Sequence, residues 1–161
     1  MTTAIEAGSP APGFTAPTND GGSLSLDSLR GKRVVLYFYP RDDTPGCTRE
    51  AQEFTEALPE FAAAGAEIVG VSKDTAAKHD KFRAKYGLPF TLVSDAESDI
   101  CERYGVWVEK KNYGKTYMGI ERATFLIDAK GTVSKVWRKV KVPGHVEKVL
   151  EAVRALASDV S

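Results

Sequence analysis

Short apolar runs along the chain alternate with stretches in which apolar residues return every third or fourth position. The most continuous run is Val34-Val-Leu-Tyr-Phe-Tyr39, rich in β-branched and aromatic residues, as suits a strand buried on both faces. Beyond it, Ala51, Phe54, Leu58 and Phe61 recur at helical spacing. Thr44 followed by Pro45 marks the start of that helix, with Thr as N-cap and Pro in the first helical position. Pro59 is expected to kink or restart it, since proline offers no N–H and crowds the preceding turn. Glu67–Ser72 reads as a second buried strand, Thr75–Tyr86 as a helix with a polar outer face closed by Gly87, and Phe90–Ser94 as a third strand. Ala96–Tyr104 reads as a short helix stopped by Gly105, and Val106–Glu121 has no clean period and reads as a loop. Ala123–Asp128 and Thr132–Trp137 flank Ala129-Lys-Gly131 in the manner of a β-hairpin. A last amphipathic helix carries Val146, Val149, Leu150, Val153 and Leu156 on one face.

Ahead of the first long strand, Ala7–Gly22 is rich in Pro and Gly, with Phe14 as its expected buried anchor. Ser23–Leu26 alternates like a short strand, and Asp27–Gly31 reads as one helical turn. This is an N-terminal hairpin extension over the core. Two βαβ-type crossovers, a hairpin and a closing helix predict an α/β fold: a mixed central sheet flanked by helices, the thioredoxin-like pattern. All 161 residues are expected to form one domain.

Charge narrows the functional classes. Lys plus Arg and Asp plus Glu each number 22, so the formal net charge is zero. That removes a global electrostatic case for nucleic acid or an anionic membrane as partner. No apolar run approaches the roughly 18 residues that span a bilayer. The first ten residues have neither a charged segment nor an apolar one, so no signal peptide is expected. Two Cys and two His are too few and too dispersed for a zinc pattern, and neither a metal nor a cofactor is expected. The absence of a disulfide framework points to a reducing cytoplasm.

The chemistry concentrates in Pro40-Arg-Asp-Asp-Thr-Pro-Gly-Cys47. Ligands of open α/β sheets bind beyond the carboxyl ends of strands, which is where this segment falls. Cys47 lies three residues past the cap, in the first turn, where unpaired N–H groups and the helix dipole favour negative charge. Arg41 and Arg49 add to this, partly opposed by Asp42 and Asp43. Cys47 is therefore expected to ionise below the free-thiol value of about 8.5.

The same residues carry a resemblance. Pro40-x-x-x-Thr44-x-x-Cys47, continued as Thr48-Arg-Glu50, resembles the active-site signature of peroxiredoxins. Gly105-Val-Trp-Val-Glu-Lys-Lys, Tyr113–Ile120 and Arg122–Asp128 are similar to the peroxiredoxin Q branch, also called bacterioferritin comigratory protein. The likeness runs from about Gly8 to Leu156. It implies a thiol peroxidase on a thioredoxin-like fold that reduces hydrogen peroxide or alkyl hydroperoxides. By this resemblance Cys47 is the nucleophile, Thr44 orients the peroxide, Pro40 shields the pocket from water and Arg122 activates thiolate and substrate. Glu50 is implied as a partner of the active-site arginine. The branch also implies a monomer or weak dimer, with thioredoxin or a small thiol, such as glutathione with glutaredoxin, as reductant.

Many members of the branch carry a resolving cysteine five residues after the nucleophile, where this chain has Gln52, and others carry it within the region of Thr75–Tyr86, which here has none. Cys101 is the other thiol. Either it is a core residue and Cys47 is reduced directly by an external thiol, or it resolves Cys47 as an internal disulfide. The first is the expectation, because unpaired buried cysteine is common. Two other functions compete. A thioredoxin-type disulfide oxidoreductase needs a C-x-x-C that is absent here, and a non-catalytic binding module would not need Thr44, Cys47 and Arg122 together. Elsewhere, Lys110, Lys111, Lys115, Tyr113 and Tyr117 are expected to form a solvated loop, His79 to be exposed and His145 to be a cap-region residue. Trp107 and Trp137 are expected in the core or a pocket wall, and Phe38, Trp107 and Met118 around an apolar entrance.

Overall fold

The computed structural model describes residues 5–19 and 21–159. The first four residues, on which part of the signal-peptide reading rests, lie outside them. A short antiparallel pair, β1 (Thr15–Pro17) and β2 (Ser23–Ser25), precedes a single 3-10 turn over Leu26–Leu29. Next come β3 (Arg33–Phe38), α1 (Pro45–Ala63), β4 (Ala66–Ser72), α2 (Ala76–Tyr86) and β5 (Thr91–Ser94). A four-residue helix α3 (Ile100–Arg103) leads to the hairpin β6 (Trp107–Asn112) and β7 (Lys115–Ile120). The chain closes with β8 (Ala123–Ile127), β9 (Val133–Trp137) and α4 (His145–Asp159).

The main sheet has the order β5-β4-β3-β8-β9, parallel across β5, β4 and β3 and antiparallel across β3, β8 and β9. β3 sits at its centre, which is why it is apolar at every position from Val34 to Phe38. Val34, Leu36 and Phe38 enter one core layer with Phe125, Ile100, Cys101 and the anchor Phe14. Val35 and Tyr37 enter the other, with Phe54 and Phe61 of α1, Phe82 of α2 and Val149 of α4. The alternation of β3 thus assigns Cys47 to one side of the sheet and Cys101 to the other.

Four sequence expectations change. α1 does not restart at Pro59 but runs unbroken through it, because Phe54 and Phe61 bury in the same layer on either side of the proline. The helix expected over Ala96–Tyr104 shrinks to Ile100–Arg103, since the buried Asp95 carboxylate takes the N–H groups of Ile100 (3.0 Å) and Cys101 (2.9 Å) and fixes its start there. The supposed loop before Arg122 is the β6–β7 hairpin, whose period is hidden because one face is solvated almost throughout. Phe38 is fully buried against Tyr104 and Phe125, so it lines no entrance.

Candidate active site

β3 delivers the chain to Pro40, and the loop Arg41–Thr44 turns it into α1. Thr44 occupies the N-cap position with extended dihedrals, yet its hydroxyl makes no capping bond. It donates instead to the carbonyl of Arg41 at 3.0 Å. The early N–H groups of α1 therefore remain directed toward whatever approaches the helix end. Cys47, in that first turn, is only 2% exposed.

Arg122, in the two-residue link between β7 and β8, reaches the thiol from 75 positions away in sequence. Its Nη2 donates to Cys47 Sγ at 3.3 Å and its Nη1 to Glu50 Oε1 at 2.6 Å. One guanidinium thus spans two groups one helical turn apart on α1. Burial opposes its charge, but Glu50 and then Cys47 more than offset that and raise its pKa. Glu50 is fully buried, and desolvation outweighs Arg122 to push its carboxyl up to about 7. Its Oε2 has no hydrogen-bond partner, and neither does the buried hydroxyl of Tyr37 on β3. Burial, followed by Glu50 and Cys47, raises the Tyr37 phenol well above its ordinary value.

Gly46 makes this approach possible. A Cβ built on it would lie 3.2 Å from Arg122 Nη2. The sequence reading passed over it, although a glycine in the first turn of a helix, next to a cysteine, is a signal that something comes close to the backbone.

The loop before the helix is fastened to α2 by consecutive aspartates. Asp42 accepts from the Tyr39 hydroxyl at 2.6 Å and pairs with His79 Nδ1 at 2.6 Å. His79 Nε2 faces the Val93 carbonyl at 2.9 Å, so both ring nitrogens meet oxygen. His79 is fully buried, not exposed as its polar neighbours in sequence suggested; helix α2 turns this one polar residue inward with Phe82. Asp43 adopts a positive φ of 60° and its carboxylate takes Lys85 (2.8 Å) and Tyr86 (2.6 Å), which hold its pKa below the usual range. His145 stands at a helix start, as expected. It is buried at the start of α4 with Nε2 2.8 Å from Thr124 Oγ1, and burial, with help from Arg122, lowers its pKa to about 4.

A cavity of about 490 Å³ opens beside the loop, lined by Pro40, Thr44, Trp107, Lys110, Met118 and Ile120 among others. Trp107 and Met118 are wall residues as expected, and Trp137 is half-buried against His145. Lys110, expected in a solvated loop, is half-buried in this wall. Cys101 is wholly buried in the opposite layer. Burial, and then the Asp95 carboxylate, raises its thiol pKa.

A thiol met by a guanidinium at a helix start, on a thioredoxin-like sheet, defines a class of protein, and the comparisons agree with it. The AhpC/TSA family model matches residues 7–136, and the chain belongs to that family. Within it the chain is a peroxiredoxin of the Bcp, or Q, branch, a thiol-dependent peroxidase. It is 48% identical to peroxiredoxin Bcp of Bacillus subtilis over 95% of this chain and 98% of that one. Identity to the Coxiella burnetii bcp protein is 56% over 91% and 97%. A solved structure of Xanthomonas campestris bacterioferritin comigratory protein, studied for its alkyl peroxide reduction, matches at a TM-score of 0.86 and 46% identity, covering 89% of this chain and 92% of that one. Xylella fastidiosa PrxQ, solved as a cysteine-to-serine variant, matches at 0.91 and 38%, covering 96% and 99%.

Proposed function

We propose that Cys47 is the peroxidatic nucleophile, with Arg122, Thr44 and Pro40 forming its site and Glu50 holding Arg122. The thiolate attacks one peroxide oxygen in line, forming an S–O bond as the O–O bond breaks. The other oxygen leaves with the electron pair as hydroxide or alkoxide and takes a proton. Cys47 is left as a sulfenic acid. Holding the reactants in line supplies several kcal/mol of the barrier, and each preorganised donor aimed at the leaving oxygen is worth about 3 kcal/mol. The donors are the Arg122 fork and the helix-start N–H of Cys47, joined by the Thr44 hydroxyl once it turns from the Arg41 carbonyl to the peroxide. The Arg122–Cys47 contact of 3.3 Å carries this reading.

The sulfenic acid returns to thiol by one-cysteine chemistry. An external thiol displaces water to give a mixed disulfide, and a second thiol releases Cys47 with formation of the external disulfide. The separation of Cys47 and Cys101 into opposite core layers supports this over internal resolution. Thioredoxin, or glutathione with glutaredoxin, serves as reductant in a reducing cytoplasm, and the enzyme works as a monomer on hydrogen peroxide and alkyl hydroperoxides. Among the described residues no helix is long and apolar enough to cross a membrane.

The test is rapid-mixing peroxide reduction, followed by non-reducing mass analysis after one equivalent. Cys47→Ser should abolish turnover, while Cys101→Ser should leave it near native with either reductant. Persistent peroxide consumption in Cys47→Ser would overturn the assignment of the nucleophile, and an internal disulfide in the native protein would overturn the one-cysteine route.

A further inference from the structure

Arg122 is one cation shared between two buried acids. It reaches Cys47 Sγ at 3.3 Å and Glu50 Oε1 at 2.6 Å, and both partners are withdrawn from solvent. A charge taken out of water is tolerated only where a counter-charge answers it. With Cys47 as thiolate, an ionised Glu50 would leave one negative charge in excess. With Glu50 protonated, thiolate and guanidinium balance.

The elements packed around the pair do not redress that excess. From β3, Tyr37 presents a buried phenol that burial, then Glu50 and Cys47, keep neutral. From α4, His145 is uncharged above about 4, lowered by burial and then by Arg122. Glu53, on α1, adds a like charge that raises the Glu50 pKa, though Arg49 pairs with it at 2.8 Å. Lys110 of β6 acts on Cys47 by charge, and burial, then Arg122, lower its own pKa. Asp42, which acts on Tyr37, is paired with His79. Glu50 Oε2 has no donor, so an ionised carboxylate would be held at Oε1 alone. Burial outweighs Arg122 and keeps the carboxyl protonated up to about 7. Oxidation changes the count of charges, because a sulfenic acid is neutral and leaves Arg122 facing no anion at the sulfur.

Resting on the peroxidase reading, we propose that Glu50 stands neutral beside the Cys47 thiolate and gives up its proton as the sulfur loses its charge, so that Arg122 faces one anion at every stage. The S–O bond forms as the O–O bond breaks, and the electron pair leaves on hydroxide or alkoxide, which takes a proton from solvent. Glu50 returns one proton to solvent. Thiolate, hydroperoxide and carboxylic acid thus become sulfenic acid, water or alcohol, and carboxylate, with no net proton drawn from solution. When external thiol restores the Cys47 thiolate, one of the thiol protons returns to Glu50.

The experiment counts protons. Reduced enzyme is mixed with one equivalent of hydrogen peroxide in dilute buffer with a pH indicator, and oxidation of Cys47 is followed by mass. Below pH 7 the native enzyme should draw no net proton, and well above it, where the carboxyl is already ionised, one proton per Cys47. Glu50→Gln should draw one proton at either pH. Glu53→Gln removes a neighbouring like charge and should keep the native change with its midpoint lowered. Infrared difference spectra of the native enzyme below pH 7 should show a neutral carboxyl band lost and carboxylate bands gained on oxidation, a reading that needs no variant to fold. If Glu50 served only to align Arg122, Glu50→Gln would react more slowly with the native proton count, which would overturn the proposal. Uptake of one proton by the native enzyme below pH 7, or an unchanged carboxyl band, would overturn it too. Cys47 left unoxidised by peroxide would instead overturn the peroxidase reading itself.

Discussion

At the scale of single residues, the site depends on two side chains and on one that is missing. Arg122 gives one nitrogen to the sulfur and one to Glu50, so Arg122→Met removes a donor from the thiol and strands a buried carboxyl. The expected loss is about 10² to 10³ in the peroxide rate, measured by stopped-flow at fixed peroxide. Gly46→Ala separates activity from stability. Alanine stabilises a helix interior relative to glycine by about 1 kcal/mol, while the new Cβ at 3.2 Å must push Arg122 Nη2 away by a few tenths of an ångström. The urea midpoint should hold or rise as the peroxide rate falls about tenfold, in keeping with the rate penalty for slight misplacement. An unchanged rate in this variant would mean that the close approach at Gly46 does not matter to the chemistry.

At the scale of elements, α2 fastens the loop that leads into the helix start bearing Cys47. Asp42 to His79 is a buried pair, and Asp43 to Lys85 and Tyr86 is a surface one that holds a residue at positive φ. Their magnitudes differ accordingly. His79→Gln removes the imidazole that faces the buried Asp42 carboxylate at 2.6 Å and should cost about 3 kcal/mol in chemical denaturation. Lys85→Ala breaks an exposed contact and should cost under about 1 kcal/mol. If the two losses came out equal, the loop would not be held chiefly by the buried pair. The β6–β7 hairpin has the complementary role, lying outside the main sheet and walling the cavity.

At the scale of the whole molecule, two buried groups give stability opposing dependences on pH. Glu50 titrates near 7 in the fold against an ordinary 4.5, so the folded state holds the extra proton between those values. Its contribution is full below about 4.5 and is lost as pH rises through about 7. His145 titrates near 4 against an ordinary 6.5, so its contribution is full above about 6.5 and is lost as pH falls through about 4. The native protein should therefore show a shallow stability profile between pH 4.5 and 6.5. Glu50→Gln should expose a fall in urea midpoint on acidification, and His145→Gln a rise. Superimposable profiles for native protein and Glu50→Gln would show that this carboxyl does not titrate where its burial places it.

The sequence by itself determined the elements whose signals are local. β3 is a run that can only be buried on both faces, α1 begins where Thr44 and Pro45 say it does, and Gly87 closes α2. It also placed Cys47 in the first turn, since that needs only four consecutive residues. Arg122 became legible only through resemblance, because nothing around an arginine at the start of a strand says which distant group it will meet. His79, Lys110, Gly46 and the shortened α3 were decided by tertiary structure alone. His79 and Gly46 meet partners tens of residues away that the sheet order β5-β4-β3-β8-β9 brings near, and such pairings leave no mark in local periodicity; Lys110 depends on Gly119 across the hairpin, and α3 on the side-chain bonds of Asp95, which its period does not reveal.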